Sequence, residues 1–148
     1  MDKVLTFKQG RVPLLISMPH AGLKLTPAVK AGLIPEAQSL PDTDWHIPQR
    51  YDFAQALGAS TLAAEYSRFV IDLNRPEDDA PMYVGATTGL FPATLFDGVP
   101  LFREGQVPSA AERATYLEPI WKPYHQTLQQ ELKRVKAEFG YALLFDAH

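Results

Sequence analysis

The segment 12-VPLLISMPHAG-22 decides the expected fold, because a mostly apolar run passes directly into small and polar residues. Residues 12–18 are typical of a buried strand, and residues 19–22 of a loop at its C-terminal end. In an open α/β sheet, ligands and catalytic groups gather at the carboxyl ends of the strands. We therefore expect His20 to lie at such an edge.

Two later segments repeat this pattern. The run 68-RFVIDLNRP-76 has a β-branched and aromatic centre and ends in Asn, Arg and Pro, which predicts a second strand. The run 141-YALLFDAH-148 predicts a third, buried strand that carries Asp146 and His148 to its tip. If the strands are parallel, their polar ends meet at one edge of the sheet.

Helical signals separate the strands. A short helix is expected at 27–31 and a second at 51–57. A capping box opens a long amphipathic helix over 109–139, which is expected to break near its two prolines. The Pro-rich segments 35–48 and 77–108 predict loops.

This alternation predicts an α/β fold with three layers, in which a mostly parallel or mixed sheet carries helices on both faces. The length of 148 residues suits one domain, expected to span 1–148. Neither a GxGxxG sequence nor a GxxxxGK sequence accompanies the strands, so a dinucleotide or nucleoside triphosphate site has no support.

Composition narrows the classes of partner. The formal charge of -3 comes without a basic patch, which argues against nucleic acid. Cysteine is absent, so a metal would take His, Asp or Glu ligands. The sequence shows neither an apolar leader nor a run of ~20 apolar residues, so we expect no membrane partner and a cytoplasmic location.

The strand ends supply the residue types of a catalytic zinc site. His20 and His148 with one carboxylate make the two-histidine, one-carboxylate set that leaves a coordination position open for water. Asp42 and Asp44 are the nearest candidates for the carboxylate. Each residue also has an ordinary reading, since a histidine after a strand is more often hydrogen-bonded, and Asp in a loop more often forms a turn. His46 is a substitute ligand of lower rank.

Two arginines flank the second predicted strand. Guanidinium groups bind carboxylates through paired hydrogen bonds, so Arg68 and Arg75 are candidates for holding an acidic ligand. The alternative is an ordinary salt bridge, for instance with Asp72 or Glu77. His125, on the long helix, is expected to lie beside the core face and to form a local hydrogen bond.

Taken together, six segments are far more specific than any one of them: PHAG (19–22), DTDWH (42–46), SRFVIDLNRP (67–76), TTGLFP (87–92), WKPYH (121–125) and FDAH (145–148). In this order they resemble the N-formylglutamate amidohydrolase family, which is similar to zinc carboxypeptidases and aspartoacylase. The resemblance runs from about residue 12 to the last residue. It implies a phosphorylase/hydrolase-like, zinc-carboxypeptidase-like fold. The implied reaction is hydrolysis of N-formyl-L-glutamate to formate and L-glutamate, in histidine degradation.

The resemblance also implies the metal ligands. His20 and His148 would bind zinc or another divalent metal, with Asp44 as the carboxylate ligand and Asp42 as its rival. The zinc carboxypeptidases have a Glu three residues after the first histidine, where this chain has Leu23.

Further implied roles concern the substrate, an N-acyl acidic amino acid. Arg68 resembles an arginine that stabilises the oxyanion, and Asn74 and Arg75 would hold a substrate carboxylate. Asp146 alternates onto the same face as His148 and is expected to orient that edge. A loop that encloses the substrate would contain Thr87, Thr88 and Gly89.

In relatives of this kind, the general base is a Glu well downstream of the last metal histidine, and nothing follows His148 here. We therefore expect a C-terminally truncated, N-terminal portion of a longer enzyme, inactive alone. It would expose an unpaired sheet edge through which copies could form a homo-oligomer. Two alternatives stay open: a related metallohydrolase of another N-acyl amino acid, and a non-catalytic module that binds an acidic small molecule or a partner protein.

Overall fold

A mixed β-sheet organises the chain. The computed structural model describes residues 2–82, 84 and 88–148 of the protein. The strand order is β1-β3-β2-β4, with bounds Leu5–Lys8 for β1, Leu14–Met18 for β2, Ser60–Ala64 for β3 and Leu143–Asp146 for β4. β2 runs parallel to β3 and β4, whereas β1 pairs antiparallel with β3. The carboxyl ends of β2, β3 and β4 therefore point the same way.

Helices cover both faces of this sheet. Their bounds are Pro27–Gly32 for α1, Ile47–Arg50 for α2, Asp52–Ala56 for α3, Ala110–Ala114 for α4 and Lys122–Phe139 for α5. Helix α5 packs across β1, β2 and β3 on one face, and α3 packs against β3 on the other. The predicted α/β fold with helices on both faces of a mixed sheet is confirmed. Among the helices described, none has the length and apolar character to cross a membrane.

Strand alternation divides the buried side chains between the two faces. Leu15 packs toward α5 in one cluster with Tyr124, whereas Ile16 and Met18 pack on the other face with Ile47. Because successive residues of a strand point to opposite sides, β2 is buried on both. This double burial holds β2 in place, and with it the loop that follows.

The position of the second predicted strand is wrong. Residues 68–76 form a succession of turns, and the strand is the preceding segment Ser60–Ala64. All five residues of that segment are buried between β1 and β2, and all but Leu62 have small side chains. Small side chains give a weak strand signal but fit a sheet centre packed closely on both faces. The apolar side chains of Phe69 and Leu73 are buried by packing in the core without joining the sheet.

Strand β4 forms where predicted, but it is not buried. Leu143, Leu144 and Phe145 are 57%, 48% and 49% exposed. Among the described strands, β4 pairs with β2 alone, so it forms an edge of the sheet. Its register is still well defined, because Ala147 N donates to Ser17 O at 2.8 Å.

The long C-terminal helical segment is broken near its prolines, as predicted. Ser109 Oγ accepts a hydrogen bond from Glu112 N at 3.1 Å and caps α4. A π turn, Leu117–Trp121, then separates α4 from α5. Gly140, at a φ of 83°, ends α5 in the left-handed conformation that glycine adopts without strain.

A buried carboxylate fastens α5 to the sheet. Glu131 is 4% exposed, and its Oε1 accepts from Ser60 Oγ at 2.6 Å and from Arg134 Nη2 at 2.7 Å. The hydrogen bonds from Arg134 outweigh burial and hold the pKa of Glu131 below its ordinary value. Arg134 Nη2 also reaches Gly10 O at 3.4 Å. Ionised Glu131 thus joins α5 to β3.

Glu131→Gln is expected to lower the free energy of unfolding by about 1–3 kcal/mol, because charged hydrogen bonds within the buried network are lost. Since the folded pKa is depressed, this stabilisation is present above the unfolded pKa, about 4.3, and is lost as pH falls through the folded pKa. The wild-type chain should therefore lose stability more steeply in acid than the variant. Urea unfolding at neutral and acid pH measures both effects, with exposed Gln130→Ala as control. Equal unfolding free energies at neutral pH would contradict the role of Glu131.

Candidate metal centre

Three side chains meet beyond the carboxyl ends of two parallel strands. His20 follows β2, His148 follows β4, and Asp44 comes from the acidic loop, which is tied to β2 because Asp44 N donates to His20 O at 3.0 Å. One potential ligand atom from each residue lies within 4.8 Å of the other two. In the part of the chain that the structure describes, no other cluster of three His, Asp or Glu side chains meets this condition.

The cluster opens from the core toward solvent. The side chain of His20 is 5% exposed, that of Asp44 22% and that of His148 41%. Asp44 Oδ2 lies 2.9 Å from His148 Nδ1 and 3.7 Å from His20 Nδ1. A metal ion at this position would have a fixed inner ligand and an accessible outer side.

Each histidine has a second carboxylate behind it. His20 Nε2 lies 2.6 Å from Asp72 Oδ1, and His148 Nε2 lies 3.2 Å from Asp146 Oδ2. An outer carboxylate of this kind fixes the tautomer and ring orientation of a metal-binding histidine. Asp146 was expected in this position from strand alternation, whereas Asp72 was expected only as a salt-bridge partner.

Arg68 determines which nitrogen of His20 carries the proton. Its Nη1 lies 3.3 Å from His20 Nδ1, and its Nη2 donates to Asp72 Oδ2 at 2.9 Å. Because a guanidinium can only donate, Nδ1 must accept and the proton resides on Nε2, facing Asp72. Burial alone would raise the pKa of Asp72, but the hydrogen bond with His20 together with the charge of Arg68 holds it below its ordinary value.

These residues fit a zinc ion. Two imidazoles and one carboxylate are one of the ligand sets found in catalytic zinc sites, and His20 Nδ1 faces Asp44 in the cluster. A metal ion bound to Nδ1 would replace the hydrogen bond from Arg68 Nη1. Because Nη1 lies 3.3 Å from Nδ1, the guanidinium would be a neighbour of the ion. The Arg68–Asp72 salt bridge was the alternative to a ligand-binding role for Arg68. The structure shows this salt bridge, and Arg68 still lies beside the candidate metal site.

Asp42 lies outside the cluster and has a different partner. Its Oδ2 accepts from Phe96 N at 3.1 Å, and burial raises the pKa of the carboxyl. The ring of Phe96 lies 4.6 Å from Arg68 Cζ, a cation–π distance. The geometry thus favours Asp44 over Asp42 as the ligand, with Asp42 anchoring a loop that covers Arg68.

The predicted substrate residues lie in the turn after the site and in the loop beside it. Asn74 N donates to Asp72 Oδ1 at 2.9 Å, and the same oxygen lies 2.6 Å from His20 Nε2. Asp72 therefore links Asn74 to the candidate metal site. Arg75 Nε donates to Thr88 O at 2.7 Å and Nη1 donates to Asn74 O at 2.8 Å. Gly89 packs against Asp79, where a Cβ would come within 2.8 Å of the carboxylate. Thr87 lies outside the described residues.

The other two histidines are not part of the cluster. His46 is exposed and immediately precedes α2 in the left-handed conformation, with a φ of 63°. His125 Nε2 lies 2.9 Å from Leu73 O, so the residue forms a hydrogen bond, but with a segment distant in the sequence and not the local one that was expected. Phe96 and Trp121 were missed as neighbours of the site, because an aromatic residue in a loop or helix carries no signal that distinguishes it from a core residue.

Fold and site together define an α/β protein with a two-histidine, one-carboxylate cluster at the carboxyl edge of its parallel strands. The sequence profile of the N-formylglutamate amidohydrolase family matches residues 12–148. The chain therefore belongs to the N-formylglutamate amidohydrolase family, as the resemblance in the sequence implied.

The names of two similar proteins are consistent with this family assignment. The chain is 72% identical to the N-formylglutamate deformylase of Pseudomonas putida and 70% identical to that of Pseudomonas aeruginosa, in both cases over its full 148 residues. It covers 55% and 56% of those proteins, so it spans about half the length of the curated relatives it matches.

Solved structures share the fold at lower identity. The N-formylglutamate amidohydrolase from Ralstonia eutropha matches with a TM-score of 0.81 at 21% identity, over 97% of this chain and 55% of that one. A gene product from Agrobacterium tumefaciens matches with a TM-score of 0.69 at 18% identity, over 99% of this chain and 56% of that one.

Asp44→Asn is expected to weaken zinc binding by more than the ~100-fold that loss of an outer-shell partner costs, because a charged ligand is removed. Asp42→Asn is the matched control, since its carboxylate contacts Phe96 N and lies outside the cluster. Competition with a chromophoric chelator measures both affinities. A larger loss in Asp42→Asn than in Asp44→Asn would reverse the ligand assignment.

Proposed function

We propose that this chain contributes the metal and substrate ligands of a zinc-dependent amidohydrolase that hydrolyses N-formyl-L-glutamate to L-glutamate and formate, a reaction of histidine degradation. The observation that supports it most directly is the His20, Asp44 and His148 cluster, with Asp72 and Asp146 behind its histidines. The names of the two Pseudomonas relatives point to the same reaction.

A zinc ion bound by His20, Asp44 and His148 would act as a Lewis acid that activates water and polarises the formyl carbonyl. Asp72 keeps the proton of His20 on Nε2, so that Nδ1 stays available as a ligand. The guanidinium of Arg68, held by Asp72 and covered by Phe96, is oriented in advance to stabilise negative charge on the carbonyl oxygen.

The substrate brings two carboxylates, which need cationic or amide partners. Asn74 and Arg75 lie one and two residues beyond Leu73 in the turn that Asp72 opens. Three N–H groups of Arg75 bond to oxygen atoms of Asn74 and Thr88 and a fourth contacts Met82 Sδ at 3.9 Å, which leaves one of its five for a carboxylate. Thr88 and Gly89 would enclose the substrate from the neighbouring loop.

Hydrolysis also needs a group that carries the proton from water to the leaving amine. Asp44 serves as a ligand in this proposal, and Asp72 and Asp146 hold the histidines. We therefore assign the proton carrier to none of these carboxylates.

His20→Ala should bind much less zinc than the wild-type chain, whereas His46→Ala should keep its zinc, because His46 lies outside the cluster. Metal analysis after gel filtration measures the stoichiometry. The equivalent histidine substitution in the longer Pseudomonas putida relative should abolish formate release from N-formyl-L-glutamate. Unchanged zinc content in His20→Ala would rule out the assigned ligand set.

Arg75→Met should weaken binding of N-formyl-L-glutamate to the zinc-loaded chain by about 10- to 100-fold, as expected for a lost hydrogen bond to a charged group. Binding of the neutral analogue N-formyl-L-glutamine amide, in which both carboxylates are replaced by amides, should change much less. Arg50→Met, on the exposed side of α2, is the control. Isothermal titration calorimetry gives these affinities, and equal losses for both ligands would argue against a carboxylate contact.

A further inference from the structure

The segment WKPYH supplies two hydrogen bonds that the site described so far does not explain. Trp121 Nε1 donates to Arg75 O at 3.0 Å, and His125 Nε2 lies 2.9 Å from Leu73 O. A carbonyl oxygen can only accept, so the proton of His125 resides on Nε2. The two carbonyls belong to the residues on either side of Asn74.

The two donors form one rigid unit. Trp121 and His125 are four residues apart, at the end of the π turn and in the first turns of α5, so they share one side of the helix. Their rings stack with centroids 3.9 Å apart and an angle of 26° between the planes. Desolvation lowers the pKa of His125, which favours the neutral ring in this stack.

The π turn explains why the indole of Trp121 reaches the turn that contains Asn74 and Arg75. Lys122 N bonds to Leu117 O, a wide turn that includes one residue more than an α-helical turn. An added residue rotates the following side chains by roughly 100° around the helix axis. Such bulges are frequent at functional sites, and here the bulge brings Trp121 over the turn that carries Asn74 and Arg75.

The same turn is held from the opposite side by the site itself. Asp72 N donates to Leu90 O at 2.8 Å, and Arg75 Nε donates to Thr88 O. Asp72 Oδ1 accepts from both His20 and Asn74 N. The turn therefore lies between the candidate metal site and α5, and among the described residues only Trp121 and His125 donate to the side of the turn formed by the carbonyls that flank Asn74.

We infer that Trp121 and His125 are positioning residues, which fix the carbonyls of Arg75 and Leu73 and so hold Asn74 and Arg75 ready for the substrate carboxylate. This inference rests on the proposed function for its ligand. The two hydrogen bonds from Trp121 and His125, here called the clamp, are a property of the turn itself. Neither ring touches the metal cluster, so the clamp acts on acidic-ligand affinity and leaves metal affinity unchanged.

The test uses the full zinc-loaded chain and variants that remove one donor at a time. Trp121→Phe and His125→Phe keep an aromatic ring but lose the N–H group, whereas His125→Gln keeps a donor. Gln126→Ala, exposed on the same helix, is the control. Calorimetry gives the affinity for N-formyl-L-glutamate, chelator competition the affinity for zinc, and NMR hydrogen exchange the protection of the Asn74 and Arg75 amides.

We expect both Phe variants to bind N-formyl-L-glutamate about 3- to 10-fold more weakly, the range of one net hydrogen bond. Zinc affinity should stay within twofold of wild type, and His125→Gln should restore most of the ligand affinity. Ligand affinities within twofold of wild type in both Phe variants would overturn the inference. So would equal losses of zinc and ligand affinity, which indicate general unfolding.

Failure of the proposed function is separable from failure of the clamp. If the wild-type chain binds zinc but no N-formyl-L-glutamate, the assigned ligand is wrong, and hydrogen exchange alone decides the clamp. Faster exchange of the Asn74 and Arg75 amides in Trp121→Phe, with Gln126→Ala unchanged, then supports the inference. Unchanged exchange in Trp121→Phe overturns it.

Discussion

The carboxylate of Asp72 is the interaction on which the rest of the site depends. It is fully buried, yet it is satisfied by His20, by Arg68 and by the backbone amide of Asn74. Removing one partner from a buried charge pair typically costs roughly 3–5 kcal/mol, so these groups are held as a unit. One carboxylate thereby sets the tautomer of His20, a candidate metal ligand, orients the guanidinium of Arg68 and begins the turn that carries Asn74.

The surrounding strands and loops explain why the candidate site is buried on one side and exposed to solvent on the other. β2 is buried on both faces and fixes His20, whereas β4 lies at the sheet edge and leaves His148 much more exposed. The acidic loop is attached to the end of β2 through the amide of Asp44, and Asp42 holds the loop that brings Phe96 over Arg68. Among the three candidate ligands, side-chain burial therefore decreases from His20 through Asp44 to His148.

Much of the fold could be predicted from the sequence because its signals are local. Apolar runs that end in polar residues predicted β2 and β4, and the capping box predicted the start of α4. β3 was misplaced because Ser60–Ala64 has small side chains at every position except Leu62, and the burial of small side chains depends on neighbouring strands more than on their own hydrophobicity. The burial of β4 was predicted wrongly for a related reason, since an apolar strand does not reveal whether anything packs against it.

For the site, residue type and resemblance were enough to propose His20, Asp44 and His148. Their grouping, the position of Asp42 on the Phe96 loop and the contacts of Trp121 and His125 with the Leu73–Arg75 turn were decided by tertiary structure. The physical reason is that the interacting groups lie far apart along the chain. The sequence by itself determined which groups can donate, accept or bind a metal, and which segments form strands or helices. Only the folded chain brings groups from distant segments within hydrogen-bond distance, where burial and charge decide which pairs form.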